Sequence, residues 1–166
     1  MFCAAEPVET AAAEVAFWRL LFFVESPETP WPANPLEFTA FAVGWSAGLC
    51  LDLTRPPYAD RHEAWIHPTD YAACHAVADE ARVLGADAIR SISARDPAGG
   101  RNVSLLSCAT FVDREPRRRQ GWRLKLSAAG VYARCEEPRT ALHFDRDAFL
   151  RDPRIAALRW ERPVGG

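Results

Sequence analysis

Glu14 stands in Ala11-Ala12-Ala13-Glu14-Val15-Ala16-Phe17-Trp18, a stretch that would otherwise read as the buried helix of a folded domain. An ionised carboxylate in such surroundings loses hydration, so a chain keeps one there mainly when it has a partner or a chemical task. Its neighbours three and four residues away are Thr10, Ala11, Phe17 and Trp18, none of them basic. The plainer reading is a helix-flank glutamate whose head reaches water past Phe17. A second constellation is Ile89-Arg90-Ser91-Ile92-Ser93-Ala94-Arg95-Asp96-Pro97, followed by Gly99-Gly100-Arg101-Asn102. Strand alternation puts Ser91 and Ser93 on one side, and a strand that runs into a glycine turn brings small hydroxyls and backbone amides where ligands bind. An ordinary β-turn built of Asp, Pro and Gly accounts for the same residues.

Several other chemistries are excluded. The chain has neither G-x-x-x-x-G-K-[ST] nor G-x-G-x-x-G, so the two common glycine-rich phosphate cradles are missing. His62, His67, His75 and His143 lack metal-ligand spacing, and no metal site is expected. Cys74 and His75 are adjacent on a helix pattern and point apart, which rules out a nucleophile and base pair. A net charge of −2 supplies no global field for nucleic acid or anionic lipid. Arg114, Arg117, Arg118, Arg119 and Arg123 read as a solvated loop. The longest apolar run, residues 20–24, ends at Glu25, well short of the roughly 18 residues that span a bilayer. The first residues carry no basic segment of a secretion signal, and five scattered cysteines without a C-x-x-C pair favour reduced thiols, so a cytoplasmic protein is expected.

The elements that must position these residues alternate between helix and strand, giving a mixed α/β (α+β) fold. With 166 residues and 49% hydrophobic content, a single domain with a sizeable core is expected. Residues 7–24 read as a mostly buried first helix, with Pro7 in its first turn and Val8, Ala11, Ala12, Val15, Trp18 and Phe22 at helical spacing. Pro27, Pro30, Pro32 and Pro35 stop it and stiffen the loop that follows. Strands are expected over 36–43, shortly after the turn at Ser46-Ala47-Gly48, and over 88–94. A helix is expected over 69–84, capped by Thr69, with Ala73, Val77, Ala81 and Leu84 on its buried face and Gly85 as its stop. After the turn at 96–100 come an apolar segment at 103–106, a hairpin of 122–126 with 131–135, and a further strand at 141–144. The tail beyond Asp152 is polar enough to be expected loosely attached.

Taken together, Phe2-Cys3-Ala4-Ala5-Glu6, the apolar helix carrying Glu14, the Ile89 to Pro97 segment and Gly99-Gly100-Arg101-Asn102-Val103-Ser104-Leu105-Leu106 resemble the RES family, named for an Arg, a Glu and a Ser. The resemblance runs in order and spacing over about 2–111. Trp31-Pro32-Ala33-Asn34-Pro35 and His67-Pro68-Thr69-Asp70-Tyr71-Ala72-Ala73 are similar to one branch of the family. On this basis residues 1–152 are expected to form the RES domain and 153–166 a C-terminal tail.

The resemblance implies a fold akin to ADP-ribosyltransferases and to bacterial toxins that destroy NAD⁺ by phosphorolysis or hydrolysis. Such toxins are typically neutralised by a small partner of the Xre type. Glu14 matches the family Glu and Ser93 the family Ser, and Asn102 lies in the matching Gly-x-Asn stretch. The family Arg falls on a segment that would precede residue 1, so the chain is expected to be N-terminally truncated relative to the family. Cys3 stands where the family usually has a Tyr lining the nicotinamide pocket. On these assignments Glu14 is the catalytic carboxylate; Ser93, Cys3 and Asn102 contact the dinucleotide. NAD⁺ is then a substrate, with inorganic phosphate as co-substrate if the reaction is phosphorolysis, and no cofactor or metal. Arg90, Arg95 and Arg101 do not align with the family Arg, though one of them could supply part of a phosphate contact. Two other outcomes follow from the same resemblance: a catalytically impaired domain that keeps its antitoxin-binding surface, or an ADP-ribosyltransferase. The missing segment would leave a sheet edge open to aggregation or to another chain, a homo-oligomer included.

Overall fold

A computed structural model of the chain describes residues 1–165. In chain order the elements are β1 (Phe2–Ala5), α1 (Val8–Glu25), β2 (Leu36–Ala42), β3 (Cys50–Asp52), α2 (His62–Trp65), α3 (Ala72–Val83), β4 (Ala88–Ile92), β5 (Arg101–Leu105), β6 (Arg118–Ser127), β7 (Gly130–Cys135), β8 (Thr140–Asp145) and α4 (Pro153–Ala156). This is the mixed α/β composition that the sequence implies. The chain divides into two compact units interleaved in sequence, one of residues 1–11 and 42–118, the other of 12–41 and 119–165.

The first unit is built on a four-stranded sheet in the order β1-β5-β4-β3. β1 and β4 flank β5 antiparallel, whereas β3 and β4 run parallel, with Cys50 opposite Ala88 and Asp52 opposite Arg90. A parallel pair needs a crossover, and the segment carrying α2 and α3 provides it. The two sheet faces have separate cores. On one, Ile89 packs with Leu53, Trp65, Val77, Ala81 and Ala86. On the other, Ala88, Val103 and Leu105 pack under Phe2, Trp45 and Phe111.

Helix α3 begins three residues later than the sequence suggests. His67 Nδ1 accepts the Thr69 and Asp70 amides, the Asp70 carboxylate accepts the Ala72 amide, and the N-cap position falls on Tyr71, without a side-chain cap, rather than on Thr69. Gly85 ends the helix at φ +70°, the left-handed geometry that favours glycine. Leu84 is 68% exposed rather than buried, because it follows the last helical residue and leaves the face shared by Val77 and Ala81.

The second unit contains a four-stranded sheet in the order β2-β6-β7-β8, with the expected hairpin closing at Ser127 opposite Gly130. Leu124, Leu126, Val131, Ala133, Cys135 and Phe144 are buried, while Arg123, Tyr132 and Arg134 point outward. Ala12, Ala13, Ala16, Phe17, Leu20, Leu21 and Phe23 of α1 are buried, but Trp18 and Phe22 are 53% and 48% exposed. The buried stripe therefore runs beside the one traced through Trp18 and Phe22. The arginine-rich segment is a solvated loop only in its first part, where Arg114 and Arg117 are exposed outside any strand. Arg118, Arg119 and Arg123 belong to β6, Arg123 pairs with Glu37 and Glu136, and Arg117 pairs with Asp113 in the first unit.

The tail expected to be loose is firmly held. Ile155, Leu158 and Trp160 are buried, and Asp152 caps α4 through the Arg154 amide while binding the Arg154 guanidinium. Trp31, 2% exposed, donates from Nε1 to the Trp160 carbonyl at 3.0 Å. Arg162 lies 4.8 Å from the Trp31 ring centroid and donates to the Phe23, Ser26 and Thr29 carbonyls. Its alternating apolar positions, short and separated by charge, escape a composition-based reading. Trp31→Ala should lower unfolding free energy by about 3–5 kcal/mol, the range for truncating a large buried aromatic side chain, measured by urea denaturation. An unchanged midpoint would mean that the tail contributes nothing.

Candidate functional site

Ser93 lies just beyond β4, 4% exposed. Its Oγ accepts the Arg95 amide at 3.1 Å and the Asp96 amide at 3.0 Å, and its own amide donates to the Gly100 carbonyl. Two backbone N–H groups thus converge on its oxygen. Asp96 completes the turn: Oδ1 accepts the Ala98 amide, and Oδ2 accepts the Gly100 amide and the Thr10 hydroxyl at 2.6 Å. A Cβ on Gly100 would collide with the Thr10 hydroxyl and the Asp96 carboxylate, so only glycine fits. Ser93 is thus a turn-forming residue and a buried hydroxyl at once.

Cys3, Asn102 and Ser91 share one face of the first sheet. Cys3 is opposite Ser104, and Asn102 is opposite both Ala5 and Ser91. Cys3 is exposed, with Sγ 3.8 Å from Ser104 Oγ, and Asn102 is half-buried. Ser93 follows two residues after Ser91 at the exit of β4. The structure therefore gathers three of the four expected site residues, Cys3, Ser93 and Asn102, in the first unit. Glu14 belongs to the second unit, half-buried on α1, one turn after Thr10.

The three arginines near Ser93 have different fates. Arg90 is on the opposite sheet face, bound to Glu6 Oε1 at 2.8 Å and Asp52 Oδ2 at 3.3 Å, 5.7 Å from the Trp45 ring centroid. Burial disfavours its charge, but Glu6 and Asp52 outweigh that and hold its pKa above the usual arginine value. Arg90 is committed to this clamp. Arg95 is 6% exposed and its Nη2 donates to the Pro68 carbonyl at 2.6 Å and to the Tyr71 hydroxyl at 2.9 Å. Arg101 is exposed at the start of β5. Sequence spacing gave no sign of the Thr10–Asp96 and Tyr71–Arg95 contacts, which join residues 86 and 24 positions apart.

Burial also pushes Asp52 upward, yet the Thr54 hydroxyl and amide and the Arg90 guanidinium prevail and hold its carboxyl below the usual range. Burial raises the thiols of Cys50 and Cys74. Among the described residues no group of His, Cys, Asp and Glu could hold a metal ion, all five cysteines are free, and no helix is long and apolar enough to cross a membrane.

Two four-stranded sheets with helices between their strands define the class: a mixed α/β domain, with a buried hydroxyl at a strand exit of the first sheet. The chain belongs to the RES domain family, whose model matches residues 1–127. No curated protein matches it.

Two outcomes follow from this geometry. Asp96→Ala removes the acceptor for three donors, two of them part-buried, and should cost about 1–3 kcal/mol, the penalty for donors left unsatisfied, read from thermal or urea unfolding; wild-type stability would show that the turn forms without it. Because the folded-state pKa of Asp52 is depressed, its contribution is present above the ordinary carboxylate range and is lost as pH falls through the depressed value. The stability gap between parent and Asp52→Asn should accordingly close on acidification below about pH 4. A gap that does not narrow on acidification would contradict the assignment.

Proposed function

We propose that this chain cleaves the bond between nicotinamide and ribose in NAD⁺, with Glu14 as the catalytic carboxylate and Ser93 as a hydrogen-bond donor to the dinucleotide. The observation that supports the reading is the Ser93 hydroxyl, buried in the turn after β4 at the position that the family resemblance assigns to its serine. As the glycosidic bond breaks, nicotinamide leaves with the bonding electrons and positive charge builds on the ribose. A carboxylate facing that charge in a poorly solvated site lowers the barrier electrostatically. The oxygen of water or inorganic phosphate then bonds to the anomeric carbon, giving ADP-ribose or its 1-phosphate. Asn102 and Cys3, on the polar sheet face beside Ser91, are dinucleotide contacts in this reading.

A second reading, capture of an Xre-type partner without turnover, is favoured by the exposed Trp18 and Phe22, one helical turn apart on α1. An amphipathic patch of this kind suits a protein partner, and it is compatible with the enzyme reading as well.

Purified protein is expected to deplete NAD⁺ and release nicotinamide, and Glu14→Gln to slow this by about a hundredfold or more, the scale of losing one preorganised electrostatic group. The check is chromatography of products with and without phosphate. A Gln variant as active as the parent would refute the mechanism, and label transferred to protein instead of free ADP-ribose would indicate an ADP-ribosyltransferase. Binding of an Xre-type protein without NAD⁺ loss would leave the second reading alone standing.

A further inference from the structure

We infer that the ring of Tyr71, backed by His75 and pinned by Arg95, is a stacking shelf for a flat heteroaromatic ring of the substrate. This rests on the NAD⁺ reading above and extends it to a residue outside the site residues assigned there. Tyr71 is 37% exposed, yet it is held at both ends. Its hydroxyl receives the Arg95 Nη2 proton at 2.9 Å and donates to the Pro68 carbonyl at 3.2 Å. Its ring lies against His75, with centroids 6.4 Å apart and planes inclined by 29°. The segment leading into it is fixed too, because His67 Nδ1 accepts the Thr69 and Asp70 amides and Asp70 accepts the Ala72 amide.

An exposed tyrosine ordinarily loses side-chain freedom when a ligand stacks on it. Here the ring plane is preset, which reduces the ordering cost of binding. The same arginine that fixes it is bonded through its backbone amide to Ser93 Oγ, so shelf and hydroxyl are joined through one residue, Arg95. Arg95, 6% exposed, acts here as a positioning residue: its guanidinium donates to Pro68 and Tyr71. NAD⁺ offers two flat rings, adenine and nicotinamide, and stacking chemistry suits either.

The test is calorimetric titration of the full chain carrying Glu14→Gln, which keeps ligands intact, with NAD⁺, AMP and nicotinamide mononucleotide. Adding Tyr71→Leu should weaken NAD⁺ binding by about 5- to 100-fold, the range for a lost base–aromatic stack. Tyr71→Phe keeps the ring and loses only the pin, so it should weaken binding less. A loss shared by AMP but not by the mononucleotide assigns adenine to the shelf, and the reverse assigns nicotinamide. Affinity unchanged for all three ligands, or no binding of any of them before Tyr71 is altered, overturns the inference. If Tyr71→Leu fails to fold in a thermal melt, His75→Ala on the exposed helix surface takes its place, and unchanged affinity in that variant also overturns it. Absent NAD⁺ loss with Tyr71-dependent AMP binding would sink the cleavage reading alone. Normal turnover with Tyr71-independent affinity would sink the shelf alone.

Discussion

The turn after β4 satisfies its own amides, and the rest of the site depends on this. Ser93 Oγ takes the Arg95 and Asp96 amides, Asp96 takes those of Ala98 and Gly100, and the Gly99 amide donates to the Asp96 carbonyl. A buried hydroxyl is tolerated only when its hydrogen bonding is met, and a network that is met internally becomes rigid. Hence Ser93 can sit at 4% exposure with a defined polarity, oxygen toward the turn. Thr10 fits into the same network only because Gly100 has no side chain.

Period-two alternation in β4 explains how neighbouring residues come to different uses. Arg90 pairs with Val103 and Asp52 and so faces the side where Phe2, Trp45 and Phe111 pack. Ser91 pairs with Asn102 on the other side, in the company of Cys3 and Ser104. One register step therefore separates a structural clamp, in which Arg90 is held by two carboxylates, from the polar residues Ser91, Asn102 and Ser104 on the other face. An arginine adjacent in sequence to a candidate serine is not thereby available to phosphate.

Much of this was legible in the chain. Helix α1, the hairpin of β6 and β7, and the strand–turn–strand around Ser93 follow from proline stops, glycine turns and apolar alternation, all of which are local signals. The parts that were not legible depend on non-local contacts. Trp31 and Trp160 are 129 residues apart, and nothing near either announces the bond between them. Helix α3 has its N-cap at Tyr71 and not at Thr69, after a turn in which His67 takes up the Thr69 and Asp70 amides. Trp18 and Phe22 follow helical spacing as well as Phe17 and Leu21 do, and only tertiary packing decides which of two adjacent stripes is buried.

Helix α1 gives Glu14 a precision that a loop could not. Its first turn is tied by Thr10 to Asp96 within the first unit, and its later turns are fixed within the second by Phe17 against Phe149 and Phe23 against Trp31. A helix restrained at its start and along its length leaves a residue between those points little backbone freedom. Catalytic geometry tolerates errors of only about 0.5 Å, and side chains on regular elements meet that demand better than those on loops. Ser93 is on a loop, and there the saturated turn supplies the rigidity that a helix supplies to Glu14. Glu14 and Ser93 are thus held by different means, one by helical hydrogen bonds and aromatic packing, the other by the two amides that donate to its hydroxyl oxygen.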